Sequence, residues 1–510
     1  MLSPLRRPRQ ARVANSYSAP APVGGWNRRE ARAEMAPEDA VFLDNWFPRA
    51  SDVVTRRGYS QHCATGENDN VETLIELHTG TTQKLLAAVN GKLIDVSTST
   101  PSTVGTGLSS DRWSATVFNG RVFLCNGTDA PRDWTGSTLT TTSWTGPSSN
   151  NDLNYVLAFK SRLYFIQKNS QKFWYGGVGS VTGALTEFNI ADIGNFGGNL
   201  IALQAITQDG GDGVDDLFCA FLSSGEVLIY QGSYPGDANW ALVGVFRIGK
   251  LIEGRAVCKV GSDVLAVTYD GYMPLTRVLA FGRAGGKQNA VSDKISLAAQ
   301  EVVRLFGGNS GWQAMIYPKG QMLIVNVPYS STLAYQHVMN LETGAWCRFT
   351  NMNAYCWATF ADNLYFGASG GIVYKADDGN ADAGAVIQAD GQTAFNYMGA
   401  RTNVKRWTAA RPIFAANGKP SLQLGLAVDF DDTTPASQAY ASGAAADTAA
   451  WDSAVWDVAV WGEGDNQLYK EWQSVGGIGR CASLRVKTSN NDKRVFWNGV
   501  DYIFEPGSFL

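Results

Sequence analysis

Histidine is almost absent from this chain: there are three in 510 residues, His62, His78 and His337, and none has a second ligand or a base at a useful spacing. A Gly-x-Ser-x-Gly elbow, a His-Glu-x-x-His helix and a Gly-x-x-x-x-Gly-Lys-Ser/Thr loop are also missing, so nucleophilic, zinc and phosphate-cradling chemistry lack their minimum parts. The nearest dinucleotide-like string, Gly177-Val-Gly-Ser-Val-Thr-Gly183, has the wrong final spacing and reads as a turn. Nowhere do 18 apolar residues run together, and the Arg-rich N-terminus lacks the apolar core of a signal peptide, so no membrane-spanning segment and no signal-peptide export are expected. The seven cysteines are scattered, odd in number and without a Cys-x-x-Cys pair, which predicts reduced thiols in a protein that folds in a cytosol. Charge of one sign is lacking too. Lys and Arg total 42 against 46 Asp and Glu, a net of −4, which argues against a nucleic-acid coat and leaves only weak or local contact with DNA.

What the chain does have is turns. Its 55 glycines, 45% hydrophobic and 17% charged content suit many short strands around a packed core. Seven times an apolar strand ends, turns through small or polar residues, and restarts: at Val89-Asn-Gly-Lys, Phe118-Asn-Gly-Arg, Phe159-Lys-Ser-Arg, Leu222-Ser-Ser-Gly, Val260-Gly-Ser-Asp, Tyr317-Pro-Lys-Gly and Phe360-Ala-Asp-Asn. Asn-Gly and Ser-Gly supply the positive φ that tight hairpins need. The gaps between these hairpins, 29, 41, 63, 38, 57 and 43 residues, scatter around the length of one four-stranded propeller blade. The expected fold is therefore all-β, a divergent β-propeller of six to seven blades. It would have an N-terminal arm and platform segment over 1–60, the propeller over 61–380 and a small C-terminal β platform domain over 381–510.

Residues 1 to about 33 carry seven arginines against Glu30 with little periodicity, so they read as an extended arm, a solvated tail or one that orders on a neighbour. Pro37, Glu38 and Asp39 suit the first turn of a short helix, and Val53 to Thr55 a strand. Trp134, Trp240 and Trp346 each follow a glycine-containing turn, where an indole can cover the end of a blade. Thr434 to Ala450 is of low complexity and reads as a surface loop between strands around Ser421–Phe430 and Cys481–Lys487. Trp451, Trp456 and Trp461 recur every five residues, a spacing that fits neither a helix face nor a strand face, so they divide between core and interface. Asp209, Asp212, Asp215 and Asp216 form the one dense acid loop. Their step of three is wrong for a calcium loop, which makes Asp209, Asp212 and Asp215 weak metal candidates only. Asn340 to Trp346 is near the Asp-box of propeller glycosidases but has Glu in place of Asp and its Trp one place early. No cofactor is called for, and nothing asks for an enzyme.

Several phrases taken together resemble the tail nozzle proteins of short-tailed bacteriophages, the tail tubular protein B-like or packaged-DNA stabilisation proteins. They are Pro37-Glu-Asp-Ala-Val through Asn45-Trp-Phe-Pro with Arg57-Gly-Tyr, Asn126-Gly-Thr-Asp-Ala-Pro-Arg-Asp-Trp134, and Trp240 to Gly249. Tyr269-Asp-Gly-Tyr-Met-Pro-Leu275, Met339 to Phe349 and Leu364 to Asp377 continue the series in order along the chain. The resemblance implies a virion protein assembled in the host bacterial cytoplasm as a hexameric tube below a ring of head-to-tail adaptor subunits. Its platform would be built partly from the N- and C-terminal segments. It would close the channel after packaging, contact genomic DNA transiently, carry tail fibres or spikes, and open for ejection. It places adaptor or subunit contacts near Trp46 and Phe47, with Arg56 and Arg57 pairing with adaptor acids or bracing their own subunit. A host-receptor or glycan-binding propeller, stacking sugars on turn tryptophans, is the alternative, and a propeller hydrolase served by the Asp-rich loops is a third.

Overall fold

A computed structural model describes residues 14–80, 82–209, 214–280, 290–431 and 467–507. The chain divides into two units, one made of 57–344 with 348–384 and the other of 1–56, 345–347 and 385–510.

The first unit is a β-propeller. Six separate sheets make six of its blades: 73–105, 114–141, 153–189, 200–247 and 257–274 give blades 1 to 5, and 356–376 with Tyr59–Ala64 gives blade 7. The sixth place is filled by the successive antiparallel strands Gln313–Tyr317, Met322–Pro328 and Ala334–Asn340. The innermost strands Thr73–His78, Ser114–Phe118, Leu153–Phe159, Leu200–Asp209, Val257–Val260, Gln313–Tyr317 and Cys356–Phe360 each touch the next, and the last touches the first. The ring is closed by sequence-distant pairing, since Tyr59–Ala64 lies antiparallel along Ile372–Ala376 as the outer strand of blade 7. Among the described residues blade 5 has three strands; the helix Ser296–Phe306 packs on its third, Gly271–Pro274, and buries an apolar face of Ala298, Ala299, Val302 and Val303.

All seven turns expected from the sequence are hairpins, but not the same hairpin of each blade. Those at Val89 and Leu222 join the second and third strands, and the other five join the first and second. Counted at the ends of the inner strands, His78, Phe118, Phe159, Asp209, Val260, Tyr317 and Phe360, the steps become 40, 41, 50, 51, 57 and 43. Side chains tie neighbouring blades at their inner strands: Thr73 Oγ1 accepts from the Trp113 N–H (3.1 Å), Ser114 Oγ from Val156 N–H (3.2 Å), and Gln313 Oε1 from Trp357 N–H (2.8 Å).

The second unit interleaves the two ends of the chain in two sheets. In one, Gln467–Tyr469 and Gln473–Gly479 pair with Lys405–Ala416, which pairs with Val495–Pro506; that strand carries Val53–Thr55, which continues to Trp46–Pro48. Asn15–Pro20 also pairs with Val495–Pro506, so from Asn15 onward the expected free arm is a strand of its own chain. In the other sheet Asp39–Asp44, Ile387–Thr393, Ala482–Asn490 and Leu422–Val428 lie side by side, with Gly25–Trp26 beside the first. The short helix expected at Pro37 is instead a turn, in which Asp39 N–H donates to Ala36 O, leading straight into strand Asp39–Asp44. The β-branched and aromatic run Ala-Val-Phe-Leu outweighs the helix-start signal of Pro37 and Glu38.

Candidate functional site on the propeller axis

The axis is where seven inner strands bring their side chains together. Two arginines reach across it. Arg255 sits on the single 3-10 turn Gly254–Ala256 that leads into blade 5, and Arg112 on the link that leads into blade 2. Arg255 Nη1 donates to the Glu72 carbonyl at 2.7 Å, and its Nη2 donates to the Trp113 carbonyl at 3.1 Å and to Thr73 Oγ1. In the return direction Arg112 Nη2 donates to both carboxylate oxygens of Glu253, at 3.1 and 3.0 Å. In a ring of seven, the place opposite blade 5 is the junction of blades 1 and 2. Both ties therefore span the diameter, and together they strap one mouth of the ring.

The strap is electrostatically matched but partly desolvated. Burial pushes the carboxyl groups of Glu253 and Glu72 up, while Arg112 and Arg255 pull them back; burial likewise lowers Arg255. Beside it lies a cavity of about 300 Å³ whose lining includes Ser114, Thr116, Tyr155, Gln313 and Glu76. Its volume is at the small end for ligand sites. Among the described residues Glu76, raised by burial, is the one carboxylate on its wall and no histidine lines it, and burial pushes the Cys356 thiol up to about 12 while its Sγ donates to Val71 O. A protonated thiol is no nucleophile, so the wall presents hydrogen-bonding groups without an activated one. Among the described residues no three His, Cys, Asp or Glu side chains are grouped to hold a metal ion.

Removing the strap has a measurable expectation. Arg255→Met leaves two carbonyls without a donor and two carboxylates short of a counter-charge, which corresponds to a loss of about 2–4 kcal/mol. The propeller's calorimetric midpoint is expected to fall by several degrees, whereas Arg112→Met, which breaks a pair with side chains 30% and 26% exposed, is expected to cost under about 1 kcal/mol. Equal midpoints for Arg255→Met and wild type would show that the strap holds nothing.

The residues singled out in the sequence fall elsewhere. Trp46 is fully buried, its ring 5.8 Å from Trp497 and 6.5 Å from Phe414, and Phe47 is buried beside it in the strand. Arg56 is buried as well, its Nε donating to Asn45 Oδ1 at 2.8 Å while Asn45 Nδ2 donates to Gln388 O at 2.7 Å. The adaptor contact expected at Trp46 and Phe47 is corrected accordingly: both side chains are buried in their own unit, because the Asn-Trp-Phe-Pro phrase forms a core strand entered through a left-handed Asn45, φ 58°, and of the two roles expected of Arg56 its contacts fit the brace within its own subunit. Arg57 is exposed, with Nη1 donating to Asp377 O at 3.5 Å. Asp209 and Asp215 flank the inner turn of blade 4, where Asp209 pairs with Val214 and Gln208 with Asp215; Asp212 lies outside the described residues, as do Trp451, Trp456 and Trp461. The turn tryptophans Trp134 and Trp346 are fully buried and Trp240 half-buried, so the first two offer no face to a sugar. Sequence reasoning missed Arg112 and Arg255, because a cross-axis tie joins residues more than 140 positions apart.

No known protein family matches the chain, and no curated protein does. Among solved structures the chain is similar to the extracellular domain of a one-component system from B. thetaiotaomicron, at 10% identity over 74% of this chain and 56% of that one, with a TM-score of 0.41. The chain thus spans little more than half the length of that protein, and the likeness is too low to carry an argument.

Proposed function

We propose that the chain is a structural virion protein, the tail nozzle subunit of a short-tailed phage, acting as architecture and not as a catalyst. The observation that carries this reading is the strapped axis: a closed ring tied across its diameter, with no activated group on its wall, is suited to transmit load. The second unit adds support, since the resemblance implies a platform of N- and C-terminal segments and here Asn15–Pro20 and Val53–Thr55 both pair with Val495–Pro506. On this reading six copies form a tube below the head-to-tail adaptor ring in the virion tail, after assembly in the bacterial cytoplasm. The tube retains the DNA after packaging, supports fibres or spikes, and opens for ejection. Near-neutral charge lets genomic DNA slide past without sticking.

Light scattering of the purified chain, alone and mixed with the adaptor, tests the assembly. A mass of six copies with adaptor, and the same chain in purified virions, is expected. A protein that stays monomeric with adaptor and is missing from virions would defeat the reading.

A further inference from the structure

The outermost strand of a blade presents a row of unpaired N–H and C=O groups, and proteins keep such edges short, polar or covered. Blades 1, 2 and 3 obey this with Ser102–Gly105, Leu139–Thr141 and Thr186–Asn189, three or four residues each and rich in Ser, Thr, Glu and Asn. Blade 5 sets a helix against its third strand. Blade 4 does neither, and the one irregularity in its outer pairing is a bulge at Val243. Its outermost strand, Ala241–Arg247, is seven residues long, reads Ala-Leu-Val-Gly-Val-Phe-Arg, and leaves Leu242 42% and Val243 50% exposed. It pairs on one side with Glu226–Gln231, and among the described residues no strand pairs with its other side. Behind it, Tyr230 (2% exposed) stacks on Trp240 at 5.0 Å, and neither the Tyr230 hydroxyl nor Trp240 Nε1 has a hydrogen-bond partner among the described residues.

The charges at its two ends are equally unusual. In the turn that leads into the strand, Arg162 lies 3.9 Å over Tyr234 and Lys160 donates to Gly232 O. At the far end Arg247 lies 4.1 Å over Phe196, and Lys250 5.8 Å over Tyr269. None of these four cations, Lys160 and Arg162 from the neighbouring first hairpin of blade 3 and Arg247 and Lys250 from blade 4 and the link after it, forms an ion pair among the described residues, whereas Lys168 and Lys172 elsewhere in blade 3 are each paired with a carboxylate. The carboxylate in the entering turn, Asp237, is engaged with Asn239 N–H. Cations held over rings and left without acids are poised for acids from elsewhere.

We propose that Ala241–Arg247 is an open edge that accepts an extended strand from a partner protein, apolar in the middle and acidic at both ends. Main-chain hydrogen bonds supply the binding, Leu242 and Val243 pack against the incoming side chains, and the cations at the two ends fix the register. None of these observations depends on the nozzle reading, so the edge can be tested whether or not that reading stands.

The test uses the full chain and a fluorescein-labelled peptide, Asp-Val-Thr-Val-Thr-Val-Asp, followed by anisotropy, with a second peptide ending in Lys at both positions. Saturable binding of the acid-ended peptide, at least tenfold tighter than the lysine-ended one, is expected. Val243→Pro is expected to weaken it tenfold or more, since the pairing slips at Val243 and proline is tolerated at such bulges. Arg247→Gln, which removes the charge without setting a second carboxylate opposite buried Glu226, is expected to weaken it about threefold or more with little change in melting, and it decides the matter if Val243→Pro fails to fold. No saturable binding, equal binding of both peptides, or undiminished binding by Arg247→Gln overturns the proposal. So does a doubling of mass that Val243→Pro abolishes, which would make a second copy the occupant.

Discussion

Between pH 6.5 and pH 4.5 the propeller is expected to lose about 2–3 kcal/mol of stability through His337 alone, and His337→Gln is expected to remove that part of the acid limb. His337 is fully buried in blade 6 with its Nδ1 2.8 Å from the hydroxyl of Tyr272 in blade 5. Burial, and secondarily the charge of Arg348, holds its pKa down at about 3 against an ordinary 6.5. A depressed histidine stays neutral when folded while its unfolded counterpart takes a proton below pH 6.5. The unfolded chain then binds more protons, so stability falls as the pH drops from 6.5 towards 3, by about 1.4 kcal/mol per unit. Glu72, Glu76 and Glu253 are raised by burial and act in the opposite sense, gaining protons more readily when folded. The informative quantity is therefore the difference between wild type and His337→Gln in urea melts at pH 7, 5.5 and 4.5. Parallel curves for the two proteins would refute it.

Gly58→Ala is expected to cost on the order of 3–5 kcal/mol, a large effect for one methyl group. A Cβ at Gly58 would lie 1.9 Å from the Ala381 carbonyl oxygen and 2.4 Å from its carbon, both main-chain atoms that cannot step aside. Here Gly58 N–H donates to Gly379 O and Gly58 O accepts from Asp378 N–H, and the next residue begins the strand that closes the ring. Displacing it opens the cluster of Cys63, Val71, Leu74, Phe360 and Val373 to water. Gly379→Ala is the control: its φ is +66° but nothing lies within 4 Å, so it should cost only about 1–2 kcal/mol of backbone strain. Thermal midpoints and limited proteolysis separate the two, and comparable losses would mean that the close approach at Gly58 is unimportant.

These residues mark what the sequence made legible. The hairpin turns could be read because Asn-Gly and Ser-Gly turn chemistry is local, and from them came the propeller and its approximate blade count. The regular repeat is masked because in blades 1 and 4 the turns at Val89 and Leu222 join the second and third strands, and because the acids of Asp209-Gly-Gly-Asp212-Gly read as a candidate ion loop although Asp-Gly and Gly-Gly are also hairpin-turn chemistry. The 57-residue step hides the helix Ser296–Phe306, which packs on the third strand of blade 5. Ring closure was illegible, since Tyr59–Ala64 alone does not announce Ile372–Ala376 as its partner. The same is true of the axial strap. Trp46 and Arg56 looked like surface handles because aromatic and Arg residues mark interfaces and cores alike; burial among Trp497, Phe414 and Asn45 decided between them.

The closing strand also sets an order of events. Residues 59–64 leave the ribosome early, yet their partner at 372–376 follows roughly 300 residues later, about 15–60 s at ordinary rates of synthesis. The other unit waits longer still, because Asn15–Pro20 needs Val495–Pro506. A product terminated before residue 372 would therefore carry an open ring, and one terminated between 376 and 495 a closed ring beside an unfinished second unit, so the two units come to completion one after the other.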